Sequence, residues 1–486
     1  MIDLTRIESY RENNRIEAKK ALGGLPHSIW ETYSAFANTL GGIILLGVEE
    51  HKDHSLHPID LPDPERLMEE FWDILNTPQK VSVNILSDKH VQIEKVNGKQ
   101  IIAITVPRAQ RSDRPIYIGG DPLSGSYRRN GEGDYKCTRE EVQSMLRDAA
   151  VQSQDMKILE NMGLDALDYE SVQRYRTRMK RHRPGHVWEG LEDTEFLYKL
   201  GAVSRSGDGT MHPTAAGLLM FGFAYEIVKE FPNYFLDYQE QMDKDNRWTD
   251  RIVSSSGEWS GNLYDFYFRV YNKITQGIQV PFRLEGGDRI DDTPVHKALR
   301  EALANCLINA DYYGRQGLVI IKREEQITFS NPGAFRIEIE EAKSGGVSDP
   351  RNAALIKMFN LVNIGERAGS GIPNIYSVWR KQGWEPPVIE ESFEPERTTL
   401  VLNICSADNE KTAIKIGDNE KTAIKAVRKQ LIIEYLTVHA SAKASEIAAY
   451  IELKPSRARD YLSELIAEDI VAAEGSNKNR VYMLKA

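Results

Sequence analysis

The order of apolar and polar residues predicts a mixture of helices and strands from the first segment of the chain onwards. In Ser34–Glu50 the apolar positions first share one face of a helix, which Gly41-Gly42 can end with a left-handed residue. The next residues, IILLGV, do not alternate and predict a strand buried on both faces. Glu49 and Glu50 follow, so the pattern places two carboxylates at an edge of the sheet, where functional groups often gather.

Turn and cap signals extend this first α/β unit to about residue 150. Asn97-Gly98 separates two β-rich runs, and this dipeptide suits a two-residue hairpin turn because both positions need a positive φ. Thr138 and Glu141 have the spacing of a capping box and predict the start of a helix.

The later patterns predict an α/β multidomain protein. After a linking domain with a small winged element, a long helix, Asp292–Gly314, and two short strands, Gly317–Glu324 and Gln326–Gly333, indicate another α/β unit. The segments predicted from these patterns are residues 1–150, 151–285, 286–405, 406–425 and 426–486.

The last two segments differ sharply in character. DNEKTAIK occurs at Asp408–Lys415 and again at Asp418–Lys425, and a repeat this polar predicts a linker because it buries no core of its own. The tail has three helical patterns followed by a hairpin pattern, which is the order of a winged helix-turn-helix.

Composition narrows the class of protein. The chain has 486 residues and a formal net charge of -10, which argues against a uniformly basic surface but permits a local basic groove. No apolar run reaches the roughly 18 residues that a membrane span needs. The charged start lacks the apolar core of a signal peptide, and Cys137, Cys306 and Cys405 have no zinc-ligand spacing. We therefore expect a reduced, cytoplasmic protein with no membrane partner.

Three carboxylates near the N-terminus are candidate metal ligands. If Arg15–Lys19 is a strand, Glu17 and Lys19 share one face, and Glu12, Glu17 and Glu50 can converge. Carboxylates this close repel one another unless a cation lies between them, and Mg²⁺ or Mn²⁺ prefers such oxygen ligands. Lys19 would then offset the charge of a phosphate. The alternative is a solvated, charged strand face.

The motifs of this segment resemble a known family. SAFANTLGGIILLGVEE closely resembles the core of the Schlafen-type domain, also called the AlbA-type DNA-binding domain, and RENNRIEAKK and GSYRRNGEGDYKCTREE resemble its flanking elements. Some Schlafen proteins are metal-dependent endoribonucleases that use two Glu and one Asp. The resemblance places Glu12 and Glu17 on the Glu positions and Glu50 on the Asp position, while Asn13 and Ala18 depart from the family pattern.

Basic residues in the same region fit nucleic acid as a partner. Arginines can pair with phosphates through two hydrogen bonds, and the nearby Tyr117 and Tyr127 can stack on bases. The alternative is a solvated loop face. The arginines are Arg108, Arg111, Arg114, Arg128 and Arg129.

The helix predicted at 292–314 carries a polar stripe. Glu301, Asn305 and Asn309 follow one another at steps of four and therefore share one face. A buried polar stripe is costly unless it has partners, and a ligand is one such partner. A solvent-facing stripe is the alternative.

Three ordered motifs around this helix resemble the ATP-binding module of the GHKL type, as found in bacterial ATP-binding transcriptional regulators. The motifs are REALANCLINADYYG, ITFSNPGAF and RNAALIKMFNLVNIGERAGSGIPNI. The resemblance makes Asn305 the residue that holds the Mg²⁺ of ATP and Glu301 the candidate general base. It places Gly369 and Gly371 in the loop near the phosphates.

The adenine site departs from the pattern of that module. Asn331 and Gly333 stand where the family has an Asp-x-Gly-x-Gly box, so Asn331 can offer a carbonyl oxygen but no charge. By position, Asn309 completes the polar set of this candidate ATP site.

The tail supplies a second candidate contact with nucleic acid. The start of a recognition helix makes base and phosphate contacts, and the third helical pattern begins with Lys454, Arg457 and Arg459. Arg480 would lie in the wing. Dimerisation or protein contact is the alternative for such a module.

Three functions follow from these patterns. The first is a nucleic-acid-binding, nucleotide-regulated protein, which is a transcriptional regulator of the bacterial Schlafen-domain type. The second is a Schlafen-like endoribonuclease that acts on tRNA or other RNA, is gated by ATP and serves in phage defence. The third is an assembly factor whose nucleotide site controls oligomerisation. The expected cofactors are ATP and Mg²⁺ or Mn²⁺, and the expected partners are DNA or RNA and further copies of the chain.

Overall fold

A computed structural model gives the fold, and the chain divides into two compact units, Met1–Ser406 and Ala407–Ala486. We describe each unit by itself. The structure describes residues 3–242, 247–278, 283–285, 288–290, 293–365 and 369–405, and in the second unit residues 429, 432–433, 435–436, 439, 441–450, 455–467, 470–474 and 480–485.

The N-terminal part of the first unit is built around a four-stranded sheet with the order β1-β2-β6-β5. Strands β1 and β2 are parallel, and the other neighbours are antiparallel. The strands are β1 (Ile16–Lys19), β2 (Gly42–Leu46), β3 (Val48–Glu50), β4 (Leu56–Pro58), β5 (Val91–Val96), β6 (Lys99–Val106), β7 (Tyr127–Asn130) and β8 (Gly133–Lys136). The helices are α1 (Ile29–Asn38), α2 (Pro64–Leu75), α3 (Pro122–Gly125) and α4 (Arg139–Ala149).

Local signals in this part are confirmed. Gly41 has a φ of 72° after α1, and Asn97 and Gly98 have φ values of 51° and 81° in the β5–β6 turn. Thr138 accepts a hydrogen bond from the backbone N–H of Glu141, and the Glu141 side chain accepts from the backbone N–H of Thr138. Each signal depends on a few consecutive residues, so the local structure that it predicts does not depend on distant parts of the chain.

The prediction that IILLGV forms one continuous strand is wrong in one respect. Gly47 has a φ of 81° and breaks the run, so β2 ends at Leu46 and Glu50 lies in β3, which pairs with β4. A Cβ at residue 47 would lie 2.7 Å from the Leu61 side chain, so the close approach of the 59–61 segment also requires glycine there.

The rest of the first unit shares one six-stranded sheet with the order β12-β11-β15-β16-β18-β17. The strands are β9 (Val203–Arg205), β10 (Met211–Pro213), β11 (Leu236–Glu240), β12 (Asp250–Val253), β13 (Arg283–Glu285), β14 (Asp288–Ile290), β15 (Leu318–Lys322), β16 (Gln326–Pro332), β17 (Val388–Phe393) and β18 (Glu396–Asn403). The helices are α5 (Tyr169–His182), α6 (Asp193–Leu200), α7 (Ala215–Phe221), α8 (Ala224–Glu230), α9 (Leu263–Thr275), α10 (Pro294–Ile308), α11 (Ile339–Ser344), α12 (Ala353–Leu361) and α13 (Gly371–Gln382).

The boundary predicted between residues 285 and 286 falls inside this sheet. Strand β11 pairs with β15 in parallel across that boundary, and one hydrophobic core runs from Leu159 to Leu402. Helix α10 packs in this core between α9 and α13, and it ends at Ile308, one and a half turns before the predicted end.

The second unit has a core of its own around Ile447, Leu462 and Leu465. Its described elements are α14 (Ala444–Tyr450), α15 (Pro455–Ala467), β19 (Ala442–Lys443), β20 (Val471–Glu474) and β21 (Val481–Leu484), and the sheet order is β19-β21-β20. The repeat at 408–425, most of the first predicted helix and the hairpin turn lie outside the described residues. The assignment as a winged helix stays a prediction.

The whole is a mixed α/β multidomain fold, as predicted. Among the helices of the described residues, we find none with the length and apolar composition required to cross a membrane. The three cysteines are free thiols.

Candidate functional site

The polar stripe of α10 faces a cleft within the first unit. The space between its walls has a volume of about 1050 Å³, which includes space open to solvent. Its walls come from α10, the faces of β16 and β18, the loop before α12 and the start of α13. The predicted residues that line it are Glu301, Asn305, Asn309, Asn331, Gly369 and Gly371.

Hydrogen bonds order the stripe along α10. The Asn305 Nδ2 donates to Glu301 Oε1 at 3.3 Å, and the Asn309 Nδ2 donates to the carbonyl oxygen of Asn305 at 3.0 Å. Glu301 retains only 9% of its exposed area. The stripe is therefore not a fully solvated helix face, because the Glu301 carboxylate is buried and the half-buried Asn305 and Asn309 line the cleft.

Two glycines allow the start of α13 to approach the stripe. Gly369 has a φ of 65°, and a Cβ there would lie 2.4 Å from the carbonyl oxygen of Val347. A Cβ at Gly371 would lie 2.2 Å from Glu301 Oε1. Both positions therefore need the absence of a side chain. Residues 366–368 of the predicted Gly-rich loop lie outside the described residues.

The two residues predicted for the adenine site, Asn331 and Gly333, have different positions relative to the cleft. Asn331, in β16, is buried and lines the cleft. Gly333 lies behind the wall: its φ is 100°, its carbonyl oxygen accepts from Thr398 Oγ1 at 2.9 Å, and its Cα faces the guanidinium of Arg351. Gly333 thus supports the wall through its backbone.

The cleft also contains residues that the sequence did not identify. Thr398, Arg336 and Asp349 line it, and Asp349 forms ion pairs with Arg336 and with Arg111 of the N-terminal part. The sequence signal that could have identified Asp349 was the dipeptide Asp349-Pro350, which favours a turn and comes shortly before helix α12. Arg111 and Asp349 are far apart in sequence, so local patterns carried no information about this ion pair.

The three N-terminal carboxylates lie close enough to affect one another. Burial and, to a smaller degree, the charges of Glu17 and Glu50 raise the pKa of Glu12 above its ordinary value, although a hydrogen bond from the Ala18 N–H opposes this. Glu17 is held by the Lys19 Nζ at 2.8 Å and by the Arg129 Nη2 at 2.8 Å. Glu50 lies 2.9 Å from the His54 Nδ1.

This donor set does not fit a metal ion. The charge of Glu17 is already balanced by two side-chain cations, and one oxygen of Glu12 is used by the backbone. Across the described ranges, no three Asp, Glu, His or Cys side chains are grouped so that they could hold a metal.

Four of the five arginines predicted to contact nucleic acid form ion pairs with carboxylates inside the first unit. Arg108 forms two hydrogen bonds with Glu391, at 2.7 and 3.0 Å, and both side chains are buried. Arg111 pairs with Asp349, Arg128 with Glu141 and Glu394, and Arg129 with Glu17 and Asp134. Burial lowers the pKa of Arg114 to about 10. These side chains connect parts of the unit, which leaves little of their charge for an external phosphate.

The basic residues of the second unit are only partly described. Arg459, on α15, and Arg480, at the start of β21, are exposed, and the Arg480 guanidinium lies 5.6 Å from the ring centre of Tyr482. Lys454 and the side chain of Arg457 lie outside the described residues. The contact of these residues with nucleic acid stays a prediction.

Three known families match separate segments of the chain. The Schlafen, AlbA_2 family matches residues 12–138, and a family of HATPase type, described as "Putative ATP-dependent DNA helicase recG C-terminal", matches residues 319–402. Between them, a domain of unknown function, DUF8451, matches residues 143–237. No curated protein sequence matches the chain.

Two solved structures are similar to parts or all of the chain. The crystal structure of the DIP2311 protein from Corynebacterium diphtheriae is 16% identical over 97% of this chain and 95% of that chain, with a TM-score of 0.44. The solution NMR structure of the N-terminal domain of a "Putative ATP-dependent DNA Helicase RecG-related Protein" from Nitrosomonas europaea is 30% identical over 29% of this chain and 96% of that chain, with a TM-score of 0.22.

The chain therefore combines an AlbA-type domain with an ATPase-type domain. The segment that matches the Schlafen AlbA_2 family is the N-terminal part, residues 12–138.

Proposed function

We propose that this protein binds Mg-ATP in the α10 cleft and uses it to regulate binding of nucleic acid. One observation carries the proposal: six residues from α10, β16 and the start of α13 converge on a single cleft beside the matched ATPase-type segment. That cleft has polar side chains along α10 and apolar side chains on other elements, among them Phe329, Ile375 and Leu400. A nucleotide has the same division between triphosphate and base.

The geometry supports specific roles in this cleft. The Asn305 Nδ2 donates to Glu301, so the Asn305 Oδ1 would hold the Mg²⁺ that accompanies ATP. Glu301, held by this hydrogen bond, is the candidate general base for an attacking water. Gly369 and Gly371 let backbone N–H groups approach the phosphates, and Asn331 offers its side-chain amide to the base.

The proposed binding of nucleic acid rests on the family matches and on the C-terminal tail of the chain. The AlbA_2 family and a recG-type description point to nucleic acid as partner, and the order of helices and strands in the tail suits a winged helix-turn-helix. Transcriptional regulation is the form of this function that we favour. An endoribonuclease is less favoured because Glu17 is neutralised by Lys19 and Arg129.

Calorimetry tests the nucleotide site. We expect Asn305→Ala to weaken Mg-ATP binding by at least about tenfold, because loss of a ligand to a bound ion costs more than 1.4 kcal/mol. Asn374→Ala, on the exposed side of α13, is the matched control and should bind as the wild type does. Equal affinity of Asn305→Ala and wild type would refute the ATP site.

A second experiment separates regulator from nuclease. The protein is incubated with tRNA and with duplex DNA, with Mn²⁺ or Mg²⁺, with and without ATP, beside the variant Glu17→Ala/Glu50→Ala. Binding that depends on ATP, without cleavage, is the expected result. Metal-dependent cleavage that disappears in the variant would establish the nuclease instead.

A further inference from the structure

The α10 cleft has one cationic side chain among the residues described on its walls. Arg336 is the only lysine or arginine in that set, whereas Glu301 and Asp349 contribute carboxylates. A triphosphate carries several negative charges, and proteins commonly meet phosphates with arginine or lysine. Arg336 is therefore the described side chain that can supply a positive charge to phosphates in this cleft.

The Arg336 guanidinium is not fully hydrogen-bonded. Its side chain keeps 9% of its exposed area, and its Nη1 and Nη2 donate to the carbonyl oxygens of Pro350 at 3.0 Å and Asp148 at 3.2 Å. Its Nε is buried and donates no hydrogen bond within the described residues, although it lies 3.5 Å from the Asp349 Oδ2. A buried donor without an acceptor is costly, so this guanidinium would gain from a further oxygen ligand.

Asp349 is shared between Arg336 and an arginine of the N-terminal part. The same carboxylate oxygen, Oδ2, pairs with the Arg111 Nε. The carbonyl oxygen of Asp148 is shared in the same way, because it accepts from the Arg111 Nη1 at 2.6 Å as well as from the Arg336 Nη2. Two guanidinium groups, one from each part of the unit, thus hold the same two oxygens.

Electrostatics points in the same direction. Burial lowers the pKa of Arg336, and the charges of Asp148 and Asp349 only partly oppose this. The charges of Arg351 and Arg111 lower that pKa further. The protein alone therefore stabilises the charged guanidinium incompletely, and a phosphate beside it would be favourable.

The surroundings of Arg336 and Asp349 leave room for an exchange of partners. Both residues line the α10 cleft and also a second cavity, whose walls include Arg147 and Asp311. Asp349 and Arg111 are partly exposed. A change of partner at Asp349 therefore does not require the hydrophobic core to unpack.

We propose that Arg336 binds the phosphates of the nucleotide and that Asp349 competes with them for its guanidinium. When phosphate draws Arg336 away, the two shared oxygens are left to Arg111, so the end of α4 responds to occupancy of the cleft. The inference rests on the proposed function and adds a phosphate-binding residue and a means of regulation to it. By linkage, a change in the hold on Arg111 also changes the affinity for nucleotide.

Calorimetry of the full chain tests the role of Arg336. Mg-ATP is titrated into wild type, Arg336→Ala, Arg336→Lys and the control Arg380→Ala, which removes an exposed arginine near the end of α13. We expect Arg336→Ala to bind at least about tenfold more weakly, because a charge-assisted hydrogen bond to phosphate is lost. Arg336→Lys keeps the charge and should recover part of this loss, and Arg380→Ala should bind as the wild type does. Equal affinity of Arg336→Ala and wild type would refute the phosphate contact.

Asp349→Asn distinguishes competition from a structural role. We expect it to bind Mg-ATP about threefold more tightly, because Arg336 is released to the phosphates. The same substitution in the Arg336→Ala background should give no gain, since Asp349 acts through Arg336. Equal gains in both backgrounds would show only that a negative charge near the phosphates is unfavourable, and they would refute the exchange. Weaker or unchanged binding by Asp349→Asn would refute it as well.

Hydrogen exchange tests the response of the N-terminal part. Peptides that cover α4 are followed with and without Mg²⁺ and a saturating non-hydrolysable ATP analogue. In wild type we expect the amides near Asp148 to exchange about twofold faster or more with nucleotide, because one of the two donors to its carbonyl oxygen is withdrawn. Arg336→Ala should show no such response. An absent response in wild type, or an equal one in both proteins, would refute the link to α4.

The outcomes separate two failures. If wild type binds Mg-ATP and the substitutions at Arg336 and Asp349 do not alter its affinity as described, the role of Arg336 is refuted while the proposed function stands. If wild type does not bind Mg-ATP, the nucleotide site itself is refuted, and the role of Arg336 with it.

Discussion

Arg351, in the loop before α12, forms a buried ion pair with Asp148 at the end of α4. The same guanidinium donates to the carbonyl oxygens of Asn309 at 3.0 Å and Ala334 at 2.8 Å. Asn309 lines the α10 cleft, so one side chain connects the cleft wall to the last helix of the N-terminal part. The two regions are thus joined by an ion pair and its hydrogen bonds.

Removing the acid of this pair should strongly destabilise the first unit. We expect Asp148→Ala to lower the free energy of unfolding by about 3 kcal/mol, because the Arg351 guanidinium would stay buried without its main counter-charge. Denaturant unfolding measures the effect. Asp73→Ala, an exposed aspartate of α2, is the control and should change stability by less than about 0.5 kcal/mol. Equal stability of the two variants would show that the pair contributes little.

The close approach of Gly371 to Glu301 predicts a specific defect. In Gly371→Ala the new Cβ would lie 2.2 Å from the Glu301 Oε1, so the Glu301 carboxylate would have to move from its place in the cleft wall. We expect Mg-ATP affinity to fall by about tenfold, a loss of roughly 1.4 kcal/mol, with little change in thermal stability because alanine suits a helix. Gly190→Ala, where no atom lies within 4 Å, is the control for calorimetry. Unchanged affinity in Gly371→Ala would place the nucleotide elsewhere.

Glu12 predicts a dependence of stability on pH. Its ordinary pKa is 4.5 and its folded pKa is raised, so the folded protein keeps this proton to a higher pH than the unfolded chain does. Stability is therefore lost as the pH rises from about 4.5 through the raised pKa. Glu12→Gln should raise the Tm at pH 7 and lose this advantage below about pH 4.

Glu49→Gln is the control variant for this experiment, because the pKa of Glu49 is shifted in the opposite direction to that of Glu12. A hydrogen bond from Lys20 lowers the pKa of Glu49, so its contribution to stability is present above pH 4.5 and is lost as the pH falls. Glu49→Gln should therefore lower the Tm slightly at pH 7. A Glu12→Gln profile parallel to that of wild type would contradict the assignment.

Glu17 should behave as a structural residue. In Glu17→Gln the charges of Lys19 and the buried Arg129 lose a partner, so we expect the free energy of unfolding to fall by about 1–3 kcal/mol. Wild type should gain no thermal stability from Mn²⁺ or Mg²⁺ at this cluster. The exposed Glu132→Gln is the control. A rise of the wild-type Tm with Mn²⁺ that Glu17→Gln abolishes would instead support a metal site.

Short-range signals determined the elements of this fold and part of its candidate site. The turn at Asn97-Gly98, the cap at Thr138 and the polar stripe of α10 depend on residues within one or two turns of each other. Backbone conformation and helical period are local properties, so they could be predicted from the sequence. The stripe also pointed to the wall of the cleft, because steps of four place Glu301, Asn305 and Asn309 on one face.

Only the tertiary structure decided what the charged residues do. The sequence grouped Arg108, Arg111 and Arg129 as one basic cluster, yet folding brings Glu391, Asp349 and Glu17 against them. An arginine binds any carboxylate that the fold places within reach, and a one-dimensional pattern does not contain that distance.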